Sequence, residues 1–174
     1  MKKFLIVVDM QKDFVDGALG SGEAVKIVPA VVDKINGFDG EIFATFDTHY
    51  ENYMNTSEGK KLPVPHCIKG TTGWELDAAV KAALDKKGFT AVEKLTFGST
   101  ELPGLIGERA AGEEFSIELI GLCTDICVIS NALVLKANFP ECEISVDPAC
   151  CAGVSVETHN AALAAMRCCQ INIG

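Results

Sequence analysis

A chain of 174 residues that is 48% hydrophobic and 22% charged can bury a sizeable core and has a globular composition. Its net charge of -9 argues against nucleic acid and anionic membrane as partners, and no apolar run reaches membrane-spanning length. The expectation is one domain over residues 1–174, cytoplasmic, whose eight cysteines stay reduced and do not form the paired array of a structural zinc site.

Phe4–Val8 is a continuous apolar run, as expected of a strand covered on both faces, and it ends at Asp9. Asp9, Lys12 and Asp13 break the apolar stretch too early for a signal peptide. A loop follows from Met10 to Gly22, and its glycines lack the spacing of a dinucleotide-binding turn. Ser21 caps a helix from Glu23 to Ile35, with Ala24, Ile27, Val28, Val31, Val32 and Ile35 on its apolar side. A second strand, Glu41–Phe46, also ends at an acid, Asp47. Thr48 to Thr71 then reads as a long loop with Pro63 and Pro65, of a length that is usually functional.

Thr72-Gly-Trp-Glu75 has the form of a capping box and predicts a helix to about Lys86. A short strand, Thr90–Glu93, ends at Lys94, and a short helix lies around Leu102 to Ala111. The strand Ser116–Ile120 runs into Gly121-Leu-Cys-Thr-Asp-Ile-Cys-Val128, and a helix follows from Ile129 to Lys136. Glu143–Val146 is a further strand, Ser155 caps a last helix to about Cys168, and Ile171–Ile173 closes the chain as an edge strand. The pairs Cys150-Cys151 and Cys168-Cys169 read as small apolar fillers, and His159 as a surface residue of the last helix. Strands alternating with helices imply an α/β fold, a parallel sheet with helices on both faces.

In such sheets the binding crevice lies at the carboxyl ends of the strands. Asp9, Asp47, Lys94 and the Cys127 turn all fall there. With Thr124 as N-cap, Cys127 stands at the third helical position, where unpaired N–H groups and the helix dipole favour a thiolate. A cysteine that simply packs would leave the same local pattern, and it is the company of Asp9 and Lys94 that argues for a nucleophile. Asp47 and His49 alternate on an extended segment and so face one side. His66, on the proline-stiffened loop, is the natural third ligand, and Glu58 a fourth. Two imidazoles with carboxylates suit zinc, with iron or manganese as alternatives. The alternative is that His49 and His66 only satisfy loop hydrogen bonds.

With these residues in place, the chain resembles the isochorismatase-like cysteine hydrolases, most of all their nicotinamidase/pyrazinamidase branch. The resemblance is carried by Val7-Val-Asp-Met-Gln-Lys-Asp-Phe14, Asp47-Thr-His49, Pro63-Val-Pro-His-Cys-Ile-Lys-Gly70, Glu93-Lys94 and Gly121–Val128. It implies a three-layer α/β/α fold with a mostly parallel sheet of about six strands, and a catalytic triad of Asp9, Lys94 and Cys127. It further implies a cis peptide before Cys123, an oxyanion hole from the N–H groups of Cys123 and Cys127, and metal ligands at Asp47, His49 and His66. The implied activity is hydrolysis of a small amide, nicotinamide to nicotinate and ammonia, through a Cys127 thioester, by a homo-oligomer. Another small amide or a carbamoyl compound, or a non-catalytic binding role, are the competing readings. The chain departs from the branch in having Lys60-Lys-Leu62 and no aromatic ahead of Pro63, and in a loop after Lys94 that is not aromatic-rich. Phe14 remains as a ring contact for the substrate, with Trp74 as a further one.

Overall fold

The computed structural model describes residues 1–174. Six strands form one sheet: β1 (Lys2–Val8), β2 (Glu41–Asp47), β3 (Thr90–Lys94), β4 (Phe115–Leu122), β5 (Glu143–Ala152) and β6 (Asn172–Ile173). Their order is β3-β2-β1-β4-β5-β6, and every pairing is parallel. The helices are α1 (Lys12–Val15), α2 (Gly22–Gly37), α3 (Ser57–Lys61), α4 (Ala78–Lys87), α5 (Leu102–Ala110), α6 (Ile129–Asn138) and α7 (Val156–Cys168).

The apolar run of β1 explains the layering. Successive side chains of a strand point to opposite faces. Phe4, Ile6 and Val8 enter a core shared with Leu102, Ile106, Leu135 and Met166 of α5, α6 and α7. Leu5 and Val7 enter the other core, against Val31 and Ile35 of α2 and Val80 and Leu84 of α4. The expected three-layer α/β/α architecture is therefore present. Strand order reverses direction between β1 and β4, so the switch point of the sheet lies where Asp9 follows β1 and the Cys127 turn follows β4.

Several elements differ from expectation, among them α1, inside the loop expected from Met10 to Gly22, and β5, which runs past the expected Val146 to Ala152. The long loop after β2 holds a 3₁₀ turn, Tyr53–Asn55, and the five-residue α3, capped by the Thr56 hydroxyl accepting from Gly59 N–H at 3.0 Å. A helix of five polar or small residues has no periodicity to read. The Thr72–Glu75 capping box does not form: Thr72–Trp74 is a 3₁₀ turn, and α4 starts six residues later behind Asp77, whose carboxylate accepts from Ala79 and Val80 N–H. Residues between them are held extended, because Lys12 N–H donates to Glu75 O and Asp77 N–H to Met10 O, both at 2.8 Å. Cys168 and Cys169 are exposed instead of filling the core, whereas Cys150 and Cys151 are buried. All eight cysteines are free, and no helix is long and apolar enough to cross a membrane.

On the α2 side, Lys34 bridges Glu118 of β4 and Asp147 of β5, each at 2.8 Å. Partial burial would raise the Asp147 carboxyl, but hydrogen bonding and the charge of Lys34 outweigh it and hold the pKa below the ordinary 3.8. A carboxylate depressed in the folded state adds stability above its unfolded pKa and loses it as pH falls through the folded value. Lys34→Met is therefore expected to cost about 1 kcal/mol at pH 7. The deficit should shrink below pH 3.8. Urea unfolding of both proteins at pH 7 and pH 3 checks this; a deficit unchanged by acid contradicts it.

Candidate active site

The four strand-end residues converge. Asp9, immediately after β1, is fully buried and adopts φ +46. That is a conformation uncommon for a non-glycine residue. Its Oδ1 accepts from the Thr45 hydroxyl at 2.7 Å, and its Oδ2 lies 2.6 Å from Lys94 Nζ. No well-aligned hydrogen-bond donor reaches Oδ2. Lys94 Nζ also donates to Cys127 Sγ at 3.4 Å and stands 3.5 Å from Asp47 Oδ1. Carboxylate, ammonium and sulfur thus form one buried group at the switch point.

The turn that delivers Cys127 is not the expected one. Cys123 is extended, the Leu122–Cys123 peptide is cis, and Thr124–Val128 forms a π-helical turn before α6. Thr124 does not cap it; its hydroxyl is 2.7 Å from Nδ1 of His159 on α7. His159 is half-buried in this contact, not a free surface side chain as its sequence position implied. Nor does the environment of the thiol follow from the turn alone. Burial pushes the Cys127 thiol well up, the Asp9 charge adds to this, and Lys94 opposes it. Burial likewise raises the Asp9 carboxyl, against the pull of Lys94. Burial thus raises the basicity of both members of the pair, with the Lys94 cation beside them.

Cys127 opens into a cavity of about 680 Å³. This is within the ~300–1,000 Å³ usual for small-molecule sites. The same cavity is lined by Asp47, His49, Glu58 and His66, which offer one donor atom each, all within 4.8 Å of one another. Asp47 Oδ2 lies 2.9 Å from His49 Nε2 and 3.4 Å from His66 Nε2, and Glu58 Oε1 lies 3.7 and 3.6 Å from the same nitrogens. His66 Nδ1 is 2.8 Å from Val64 O, which fixes that nitrogen as the N–H and leaves Nε2 for the cluster. Tyr53 packs on both imidazoles, with ring centroids 4.8 and 5.1 Å away.

The electrostatics favour a cation there. Burial would raise Asp47, but hydrogen bonds with His49 and His66 and the charge of Lys94 hold it well below the usual carboxylate range. Burial would lower His66, but Asp47 and the Val64 carbonyl raise it. Two carboxylates and two imidazoles that compete for protons fit a divalent metal ion.

Of the expected ring contacts, Phe14 lines the cavity and Trp74 does not. Trp74 packs on Phe46, with ring centroids 5.2 Å apart, and donates its indole N–H to the Thr48 hydroxyl. Phe97, Tyr50 and Tyr53 line the cavity instead. Residues outside the expected set hold the site in place. Gln11 is buried and grips Asp47 through both backbone groups, accepting from its N–H at 2.8 Å and donating to its carbonyl at 2.9 Å. Asp13 accepts from Cys67 N–H at 2.8 Å and so anchors the residue after His66. Asn131 donates to Cys127 O and Phe97 O and accepts from Ser99 N–H, tying the turn to the loop after β3.

Fold and site together define an isochorismatase-like three-layer α/β protein. The Isochorismatase domain family matches residues 3–173. An uncharacterized isochorismatase family protein of Bacillus subtilis (strain 168) is 34% identical over 76% of this chain and 78% of its own. The nicotinamidase/pyrazinamidase of Mycobacterium tuberculosis is 28% identical over 97% of this chain and 96% of its own. Among solved structures, the nicotinamidase/pyrazinamidase of Bacillus subtilis superposes with a TM-score of 0.87, at 26% identity and with both chains fully covered. The pyrazinamidase of Pyrococcus horikoshii in complex with zinc gives 0.79, at 27% identity over 100% of this chain and 99% of the other. The chain belongs to the isochorismatase family.

Proposed function

We propose that the protein is a metal-containing cysteine amidase that hydrolyses nicotinamide to nicotinate and ammonia. The observation that carries this is the opening of Cys127 into one cavity with the four-donor cluster, while Asp9 and Lys94 stand behind the sulfur. The kinship with nicotinamidases supports the substrate. Asp47, His49 and His66 would hold the ion, with Glu58 as a fourth donor; zinc is the proposed metal, in keeping with the Pyrococcus complex. When bound, the ion supplies a Lewis-acid contact for the ring nitrogen.

The residues of the chain divide the chemistry among them. Phe14 and the cavity aromatics flank the ring and bring the amide carbon over Cys127. Asp9 takes the thiol proton as sulfur attacks the amide carbon. Its raised basicity suits it for this exchange, and Lys94 stabilises the charge on both partners. The N–H groups of Cys123 and Cys127 receive the developing oxyanion. Asp9 then gives the proton to the leaving nitrogen, ammonia departs, and a thioester remains. Asp9 next draws a proton from water, whose oxygen attacks the thioester carbon, and nicotinate leaves as sulfur recovers its proton. The proposed setting is the cytoplasm, where eight free thiols persist, and the proposed assembly a homo-oligomer.

The test combines metal analysis with ammonia release from nicotinamide, pyrazinamide, a carbamoyl amino acid and an aliphatic amide. Nicotinamide turnover that falls on chelation and returns with zinc is expected, with iron and manganese run in parallel. Preference for the carbamoyl compound, unaffected by chelation, would move the reading to another amidase of the family.

A further inference from the structure

The turn bearing Cys127 is tied to α7 through His159 and to the segment just ahead of α7 through Val154. The Thr124 side chain is fully buried, and its hydroxyl meets His159 Nδ1 at 2.7 Å. The next residue, Asp125, accepts the Val154 N–H through both carboxylate oxygens, at 3.1 and 3.2 Å. Gly153 lets the helix start close in: a Cβ there would lie 2.9 Å from His159 Cβ and backbone N. The π-helical turn departs from the α-helical ladder, with Val128 N–H donating to Cys123 O at 3.0 Å, and the side-chain contacts to His159 and Val154 add to what holds it. Thr124 lies between Cys123 and Cys127, the two residues whose N–H groups are assigned to the oxyanion.

We propose that His159 is a positioning residue of the amidase reaction: through Thr124 it fixes the turn that carries the nucleophile and both oxyanion donors. This rests on the catalytic reading of Cys127. Burial lowers His159, with Asp125 opposing, so the imidazole works as a neutral hydrogen-bond partner. In either tautomer the atom that matters is Nδ1, attached directly to Cγ. Asparagine places its amide oxygen and nitrogen on that same carbon, whereas glutamine places them one carbon further out.

This gives a test that separates positioning from mere stability. His159→Leu, His159→Asn and His159→Gln are compared with wild type for kcat, KM, melting temperature and the iodoacetamide alkylation rate at Cys127, localised by mass spectrometry. A misplacement of about 1 Å in a reacting group costs up to about 10²-fold in rate. His159→Leu and His159→Gln are expected to lose roughly tenfold or more in kcat with KM little changed. Both should also alter Cys127 alkylation several-fold, while His159→Asn restores both properties. The proposal is overturned if the leucine variant alkylates as wild type does, if asparagine rescues no better than glutamine, or if the losses follow melting temperature alone. Alkylation needs no amide substrate. A wild type inactive on nicotinamide would therefore count against the substrate assignment, with the role of His159 still decided by labelling.

Discussion

Asp9→Asn is expected to remove most of the turnover and to destabilise the fold in the same step. The Asp9–Lys94 pair is almost wholly buried, with exposures of 0% and 1% for the two side chains. Removing one partner of such a pair strands the other charge, at about 3–5 kcal/mol. The lower end applies here, because Asp47 Oδ1 still faces the ammonium at 3.5 Å. Loss of a general base costs about 10²–10⁴-fold in rate. Lys94→Met should destabilise comparably, since it leaves the Asp9 carboxylate without its cation. The informative protein is Asp9→Asn/Lys94→Met: with neither charge left, it should regain most of the lost stability and none of the activity. Urea unfolding and ammonia release read the two effects separately. A double variant as unstable as the worse single one would show that the pair does not act as a coupled unit.

The fold was legible because its periodicities are strong. The five-residue apolar run of β1, feeding both cores, marks a strand buried on two faces, and the Ser21 cap with the stripe Ala24, Ile27, Val31 and Ile35 marks α2. What misled was tertiary override of local pattern. The capping-box form at Thr72–Glu75 gave way because residues 75–77 find better backbone partners in Met10 and Lys12. The Thr124 cap gave way because a buried hydroxyl found His159, on an element thirty-five residues away.

The candidate site was legible for a different reason. Its reactive residues all sit at strand ends, and in a parallel sheet those ends meet. What could not be read was the protonation of Cys127. A helix N-terminus favours a thiolate, but near-complete burial beside Asp9 does the opposite, and burial depends on the whole fold. The supporting residues Gln11, Asp13 and Asn131 were hidden likewise: their roles are hydrogen bonds to backbone in distant segments.

Gly121→Ala is the second substitution with a large expected effect, and it joins the fold to the site. Gly121 pairs with Val8 across β1 and β4 and has φ +115, outside the range of L residues. A Cβ there would lie 2.2 Å from Val8 O and 2.8 Å from Val8 N. Both are backbone atoms of a central strand, so no rotamer change relieves the clash. The strand ends must separate, and what they carry is Asp9 on one side and the Cys123–Cys127 turn on the other. Strain at positive φ plus overpacking sums to about 3 kcal/mol or more. Gly88→Ala is the matched control: φ is +79 at the end of α4, but nothing lies within 4 Å of the added Cβ. It should lose about 1–3 kcal/mol, from backbone strain alone, without the overpacking part. Melting temperatures and turnover of the two variants side by side isolate the steric part. The folded fraction of Gly121→Ala should be nearly inactive, since its nucleophile has moved from its base, while Gly88→Ala keeps wild-type kcat. Equal stability losses in the two variants would mean that the β1–β4 ends can open without cost, and the close approach of Val8 to Gly121 could not then be what sets the distance from Asp9 to the sulfur.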